Sequence, residues 1–110
     1  MGRYLVLYHA EGSAREMMAN ATPEQAKEGM DAWMKWAGAV GSALVDLGQP
    51  LGGGNRVGES GTSATDGPQG YSVLEAGSLE AATALLDGHP HLMMPGASID
   101  VLEALPIPGM

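Results

Sequence analysis

The stretch from 87 to 96, DGHPHLMMPG, places two of the chain's three histidines on either side of a proline. Imidazole has an unperturbed pKa near 6.5, so it can take up and return a proton at neutral pH, and His89 and His91 are therefore candidate acid–base groups. The same His-x-His spacing would form a metal clip if a third ligand converged, and His9, Asp87 and Asp100 are the residues able to supply one. A plainer reading competes, in which a histidine in a punctuated turn bonds a backbone carbonyl near a helix end, where positive charge is welcome. His9 closes a strand on the side of Leu5 and Leu7 and reads as a rim or satisfied structural residue rather than a base.

Other chemistry is sparse. There is no cysteine, which removes disulfides and thiolate sites and makes the cytoplasm the expected compartment. The glycines at 52 to 54 lack the Lys-Ser/Thr of a phosphate-binding loop, no Gly-x-Ser-x-Gly elbow is present, and no cofactor is implied. Thirteen acidic side chains against five basic ones give a formal net charge of −8, which argues against nucleic acid and anionic membranes as partners. The apolar run near the N-terminus is too short to span a bilayer.

The elements that must position these groups follow from periodicity. RYLVLY, Arg3 to Tyr8, reads as a short strand with no polar face, so it needs cover on both sides. Thr22, Pro23 and Gln25 form the start of a helix with a capping box, and Ala26, Met30, Trp33, Ala37, Val40 and Leu44 recur at helical spacing as its expected buried stripe. Trp33 and Trp36 lie on neighbouring faces of that helix. A weak strand is expected between 43 and 51, and a flexible Gly/Ser-rich loop at about 52–70. YSVLEA forms the next strand, Ser78 caps a second helix that ends by Gly88, and a last strand runs from Ser98 to Ala104.

The order strand, helix, strand, strand, helix, strand predicts a single α+β domain over 1–110, a ferredoxin-like βαββαβ subunit whose antiparallel sheet carries two helices on one face. The other face, with Leu5, Leu7, Leu74 and Leu102 alternating against Tyr and Val, also needs an apolar cover. A second copy packed sheet to sheet provides it, as a homodimer with a cavity between subunits. Tyr4, Tyr8, Tyr71 and His91 are candidates to line that cavity. Met30 and Met34 are candidates to make it adaptable, although methionines fill ordinary cores as well.

MGRYLVLY, the TPEQ…W…W helix, TDGPQGYSVLEAGSLEAA and the HPHL…PG…IDVLE ending together resemble the YCII-related family, including its branch with an Asp-Gly-Pro-Phe motif. The resemblance spans nearly the whole chain and implies a dimeric α/β barrel of ferredoxin-like subunits. Asp66, Gly67 and Pro68 match the motif, whereas Gln69 stands where it has Phe. The family carries a His on the first helix and an Asp before the proline after the second helix. Here the residue before Pro90 is His89, and the helix position falls at about Asp31, so the resemblance implies the pair with its members exchanged.

A carboxylate bonded to one imidazole nitrogen fixes the tautomer and makes the other nitrogen a better base. The expected function is thus a cofactor-independent enzyme that uses His89 and Asp31 for proton abstraction or elimination on a small organic molecule. A non-catalytic dimer that binds a small molecule or regulates a partner is one rival, and a metal-binding protein is the other. For Asp31 there is also a plain reading, a solvated row of Lys27, Asp31 and Lys35 at i, i+4 and i+8.

Overall fold

The structure is a computed structural model and describes residues 1–109. Four strands form one antiparallel sheet: β1 (Gly2–His9), β2 (Leu44–Asp46), β5 (Gly70–Ala76) and β6 (Ser98–Ala104), in the spatial order β2-β5-β1-β6. β1 lies inside, with β5 on one side and β6 on the other, so Leu5 sits between Val73 and Leu102, and Leu7 between Tyr71 and Asp100. Residues that face each other across an antiparallel pair project to the same side. Tyr4, Val6, Tyr8, Ser72, Leu74 and Ala76 are accordingly buried on one face, while Leu5, Leu7, Tyr71, Val73, Asp100 and Leu102 occupy the other.

The buried face is covered by α2 (Pro23–Val40) and α3 (Leu79–Ala84), through Trp36, Ala82 and Leu86. α2 begins as expected: Thr22 Oγ1 accepts from the Gln25 N–H at 3.1 Å, and the Thr22 N–H donates to Gln25 Oε1 at 3.0 Å. Its expected stripe holds only in part. Trp33, Ala37 and Val40 pack against the core and Trp36 is buried, but Ala26 and Met30, in the first two turns of α2, are exposed. The Trp36 indole N–H donates to the Leu85 carbonyl at 2.9 Å, which ties α2 to the end of α3.

Two elements differ from the sequence reading. A short helix, α1 (Ala14–Asn20), follows the breakers Glu11 and Gly12, because the Ser13 hydroxyl accepts from the Glu16 N–H at 3.1 Å and caps it. The expected loop at about 52–70 contains a hairpin of β3 (Gly54–Gly58) and β4 (Gly61–Thr65), paired from Gly54–Thr65 to Gly58–Gly61. Gly61 at φ 135° supplies a turn conformation that side-chain-bearing residues rarely adopt, so a composition that looks like a linker closes a ribbon.

The bend after β2 depends on Gly48, at φ 81°, whose N–H donates to Asp46 Oδ1 at 2.9 Å. A Cβ there would overlap the Tyr71 carbonyl. Next to it, the Tyr8 hydroxyl donates to Ser72 Oγ at 2.8 Å, and Ser72 Oγ donates to the Leu47 carbonyl at 2.6 Å, which satisfies a polar chain inside the core. Burial raises the Tyr8 pKa above its ordinary value, with the Ser72 bond opposing that shift. Gly48→Ala is expected to cost more than about 2 kcal/mol, from backbone strain plus a steric clash. Urea unfolding checks it, and a midpoint unchanged from the parent chain would contradict this role.

Candidate functional site

The three histidines are connected in series. His89 caps the 3₁₀ turn Pro90–Met93, and its Nδ1 accepts from the His91 backbone N–H at 3.0 Å. The His91 ring then reaches the end of β1, where Nε2 lies 2.8 Å from the His9 carbonyl oxygen. A carbonyl only accepts, so His91 Nε2 carries the proton. The His9 ring in turn places Nε2 2.9 Å from Asp100 Oδ2 on β6. That N–H is not aligned for a hydrogen bond, so the contact is one of charge proximity.

His89 itself is a core residue. It is 1% exposed and enclosed by Tyr8, Trp33 and Trp36, with ring centroids at 5.1, 4.5 and 4.4 Å. With Nδ1 accepting, the proton of the neutral ring is on Nε2, which is buried without a hydrogen-bond partner among the described residues. Burial in this aromatic box lowers its pKa from 6.5 to about 4, and the neighbouring His91 adds to the effect. A group so enclosed and so weakly basic is unsuited to abstract protons from a substrate at neutral pH. The structure also does not bring Asp31 to it. Asp31 is exposed on α2 and, among the described residues, pairs with neither His89 nor Lys27 nor Lys35.

The remaining candidates do not converge on one cavity. Tyr4 and Tyr8 are buried under the helices, and only Tyr71 stands on the helix-free face. His91 is buried at the end of the sheet, while Met30 and Met34 are 59% and 53% exposed on α2. Two surface hollows of about 350 and 400 Å³ flank α1, one beside Arg15 and Leu51 and the other beside Glu11 and Glu16, and neither contains a residue expected to do chemistry. Among the described residues no three His, Asp or Glu side chains gather as a metal site, so the His89-x-His91 clip has no third ligand. No helix among them is long and apolar enough to cross a membrane.

The helix-free face carries the exposed chemistry. Tyr71, Leu7 and Asp100 lie in one row across β5, β1 and β6, and His9 follows Leu7 on the same side of β1. Around them are Leu5, Val73 and Leu102. The His9–Asp100 pair could have been found from the sequence by registering the two outer-facing alternations against each other, but that register depends on long-range pairing. No known protein-family profile matches the chain, and no curated protein sequence is significantly similar to it.

A buried neutral histidine makes stability depend on pH. Its folded pKa lies below the unfolded value, so between 6.5 and about 4 the unfolded chain binds more protons. The stabilisation is therefore complete above pH 6.5, is lost progressively as pH falls to about 4, and reaches up to about 3 kcal/mol. His89→Asn keeps an acceptor for the His91 N–H and removes the titration. Urea unfolding at pH 7 and pH 4.5 is expected to show a smaller acid loss in the variant than in the parent chain. Equal losses would contradict this assignment.

Proposed function

We propose that the chain is a YCII-like, ferredoxin-like subunit of a homodimeric α/β barrel that takes a small organic molecule between two helix-free sheet faces and moves a proton on it. The strand order β2-β5-β1-β6, with the helices packed on one side, supports the subunit type. The dimer is supported by the apolar row Leu5, Leu102 and Val73 left open on the other side. Surface area supports it as well. The chain exposes 7653 Å², against about 5,700 Å² for a folded monomer of 11.3 kDa. The excess of about 1,900 Å² is more than twice the roughly 800 Å² that one partner contributes to a standard interface.

The observation that carries the reaction is His9 beside Asp100, 2.9 Å apart on that open face. The roles expected of His89 and Asp31 pass to these two. Asp100, close to the ring without a hydrogen bond to it, stabilises by its charge the imidazolium that forms when a proton arrives. His9 Nδ1, which makes no hydrogen bond among the described residues, takes a proton from a carbon next to a carbonyl. The C–H pair becomes a carbon–carbon double bond as the carbonyl π pair moves to oxygen, where the Tyr71 hydroxyl can donate. Return of the proton at another atom completes an isomerisation, and departure of a leaving group completes an elimination. His91 is a positioning residue in this scheme, since it holds the backbone of His9.

Light scattering at micromolar concentration is expected to give twice the 11.3 kDa chain mass. Leu102→Asp, at a position already 51% exposed in the single chain, is expected to give the single mass with an unchanged circular dichroism spectrum. A monomeric parent chain would overturn the dimer. For the chemistry, NMR can follow deuterium uptake from D₂O into a panel of uncharged aromatic and 1,3-dicarbonyl ketones. His9→Gln is expected to lower the catalysed exchange by about 100-fold or more. Exchange no faster with the parent chain than with the variant would leave the non-catalytic binding dimer as the reading.

A further inference from the structure

The ribbon of β3 and β4 has an anchored base and an unsupported blade. At the base, the Leu51 N–H donates to the Gln69 carbonyl at 2.8 Å, and the Gln69 N–H donates to the Tyr8 carbonyl at 2.7 Å. Gln69 Nε2 also donates to the Gly12 carbonyl at 2.8 Å, so the residue standing in place of a motif phenylalanine serves as a staple between the ribbon root and the loop after β1. Beyond that root, every residue of the blade except Thr65 is exposed, including Val57 at 80%. Both outer edges of the hairpin are unpaired, because β3 and β4 form a sheet of their own.

An isolated two-stranded hairpin is marginal in water, and an open edge is a template for another chain. The molecule is also less compact than its length requires. The radius of gyration is 15.4 Å, against about 13 Å for a compact chain of this length, and the extents are 48 × 44 × 21 Å. Charge points to the occupant. The segment from 54 to 65 holds one cation, Arg56, and one anion, Glu59, so the whole formal charge of −8 lies elsewhere. A second copy of this chain would repel most of the molecule but not this segment.

We infer that the β3–β4 hairpin is an arm that lies on a second copy of this chain and accounts for part of the surface excess. The inference rests on the dimer proposed above and adds a second, separately removable contact to it. The Gln69 staple anchors the root of each arm, and the two-fold symmetry of a homodimer makes the contact reciprocal.

The chain has no cysteine, so Ser60→Cys, at the tip of the hairpin, gives a unique attachment point for a maleimide–benzophenone photo-crosslinker. Irradiation of a mixture of ¹⁴N and ¹⁵N protein, followed by mass spectrometry, is expected to give mixed-isotope covalent dimers as the main adduct. Crosslinks confined to one chain, in a sample that light scattering shows to be dimeric, would overturn the arm and leave the sheet-to-sheet dimer standing. A sample that is monomeric before irradiation would overturn both. In a second variant, two glycines replace residues 54 to 65. It is expected to keep its circular dichroism spectrum and to dissociate at a concentration at least 10-fold higher than the parent chain, and unchanged dissociation would also overturn the arm.

Discussion

The hydrogen bond from the His91 imidazole to the His9 carbonyl, 2.8 Å long, joins the two halves of the molecule on which everything else depends. One half is the turn after α3, which His89 anchors among Tyr8, Trp33 and Trp36. The other is the end of β1, where the strand leaves the sheet and His9 turns toward Asp100. The bond is partly buried, so it is made in surroundings where a lost partner would leave a polar group uncompensated. Core packing thus fixes the backbone from which a half-buried imidazole projects. The HPH sequence has a physical logic of its own: Pro90 starts the 3₁₀ turn, His89 caps it, and His91 reaches across to the strand.

The sheet divides the chain's chemistry into a closed side and an open side. On the closed side, polar groups are either satisfied, as in the Tyr8–Ser72–Leu47 chain, or kept neutral, as in His89. A charge buried there without a partner would cost several kcal/mol. On the open side, His9, Asp100 and Tyr71 stand among leucines and valines, a mixture of a few polar groups on an apolar floor that is common in small-molecule sites. Neither side offers a basic stripe or a cluster of metal-ligating side chains among the described residues, and the acidic balance of the chain suits an uncharged ligand better than a phosphate-bearing one.

Local chemistry in the sequence was enough to read the α+β class, the capping box at Thr22 and Gln25, the helix after Ser78 and the last strand. Each of these depends on residues within a few positions of one another. The buried stripe of α2 is legible only in its C-terminal half: Met30 has the right spacing but is exposed, and spacing alone carries no information about how far a partner element extends. The hairpin was missed because Gly, Ser and Thr disfavour a core, whereas a two-stranded ribbon needs only backbone pairing and a glycine turn. The imidazoles were the most misleading. His89 stands in a motif that reads as a punctuated turn, yet three aromatic rings from β1 and α2 close over it. Asp31 was placed by analogy of position, and the helix turns it to solvent. His9 and Asp100 are 91 residues apart in sequence, and only the β1–β6 register unites them.

Long-range ¹H–¹⁵N correlation of the imidazole rings tests the serial arrangement most directly, since it reports for each histidine which nitrogen carries the proton. The expected spectrum shows His89 and His91 both protonated at Nε2 at pH 8, with His89 still neutral as the solution is acidified toward pH 4. A His89 ring that exchanges between tautomers, or that gains its second proton near the free-imidazole value of 6.5, would contradict a histidine locked in the core, and with it the path that fixes His9 on the open face.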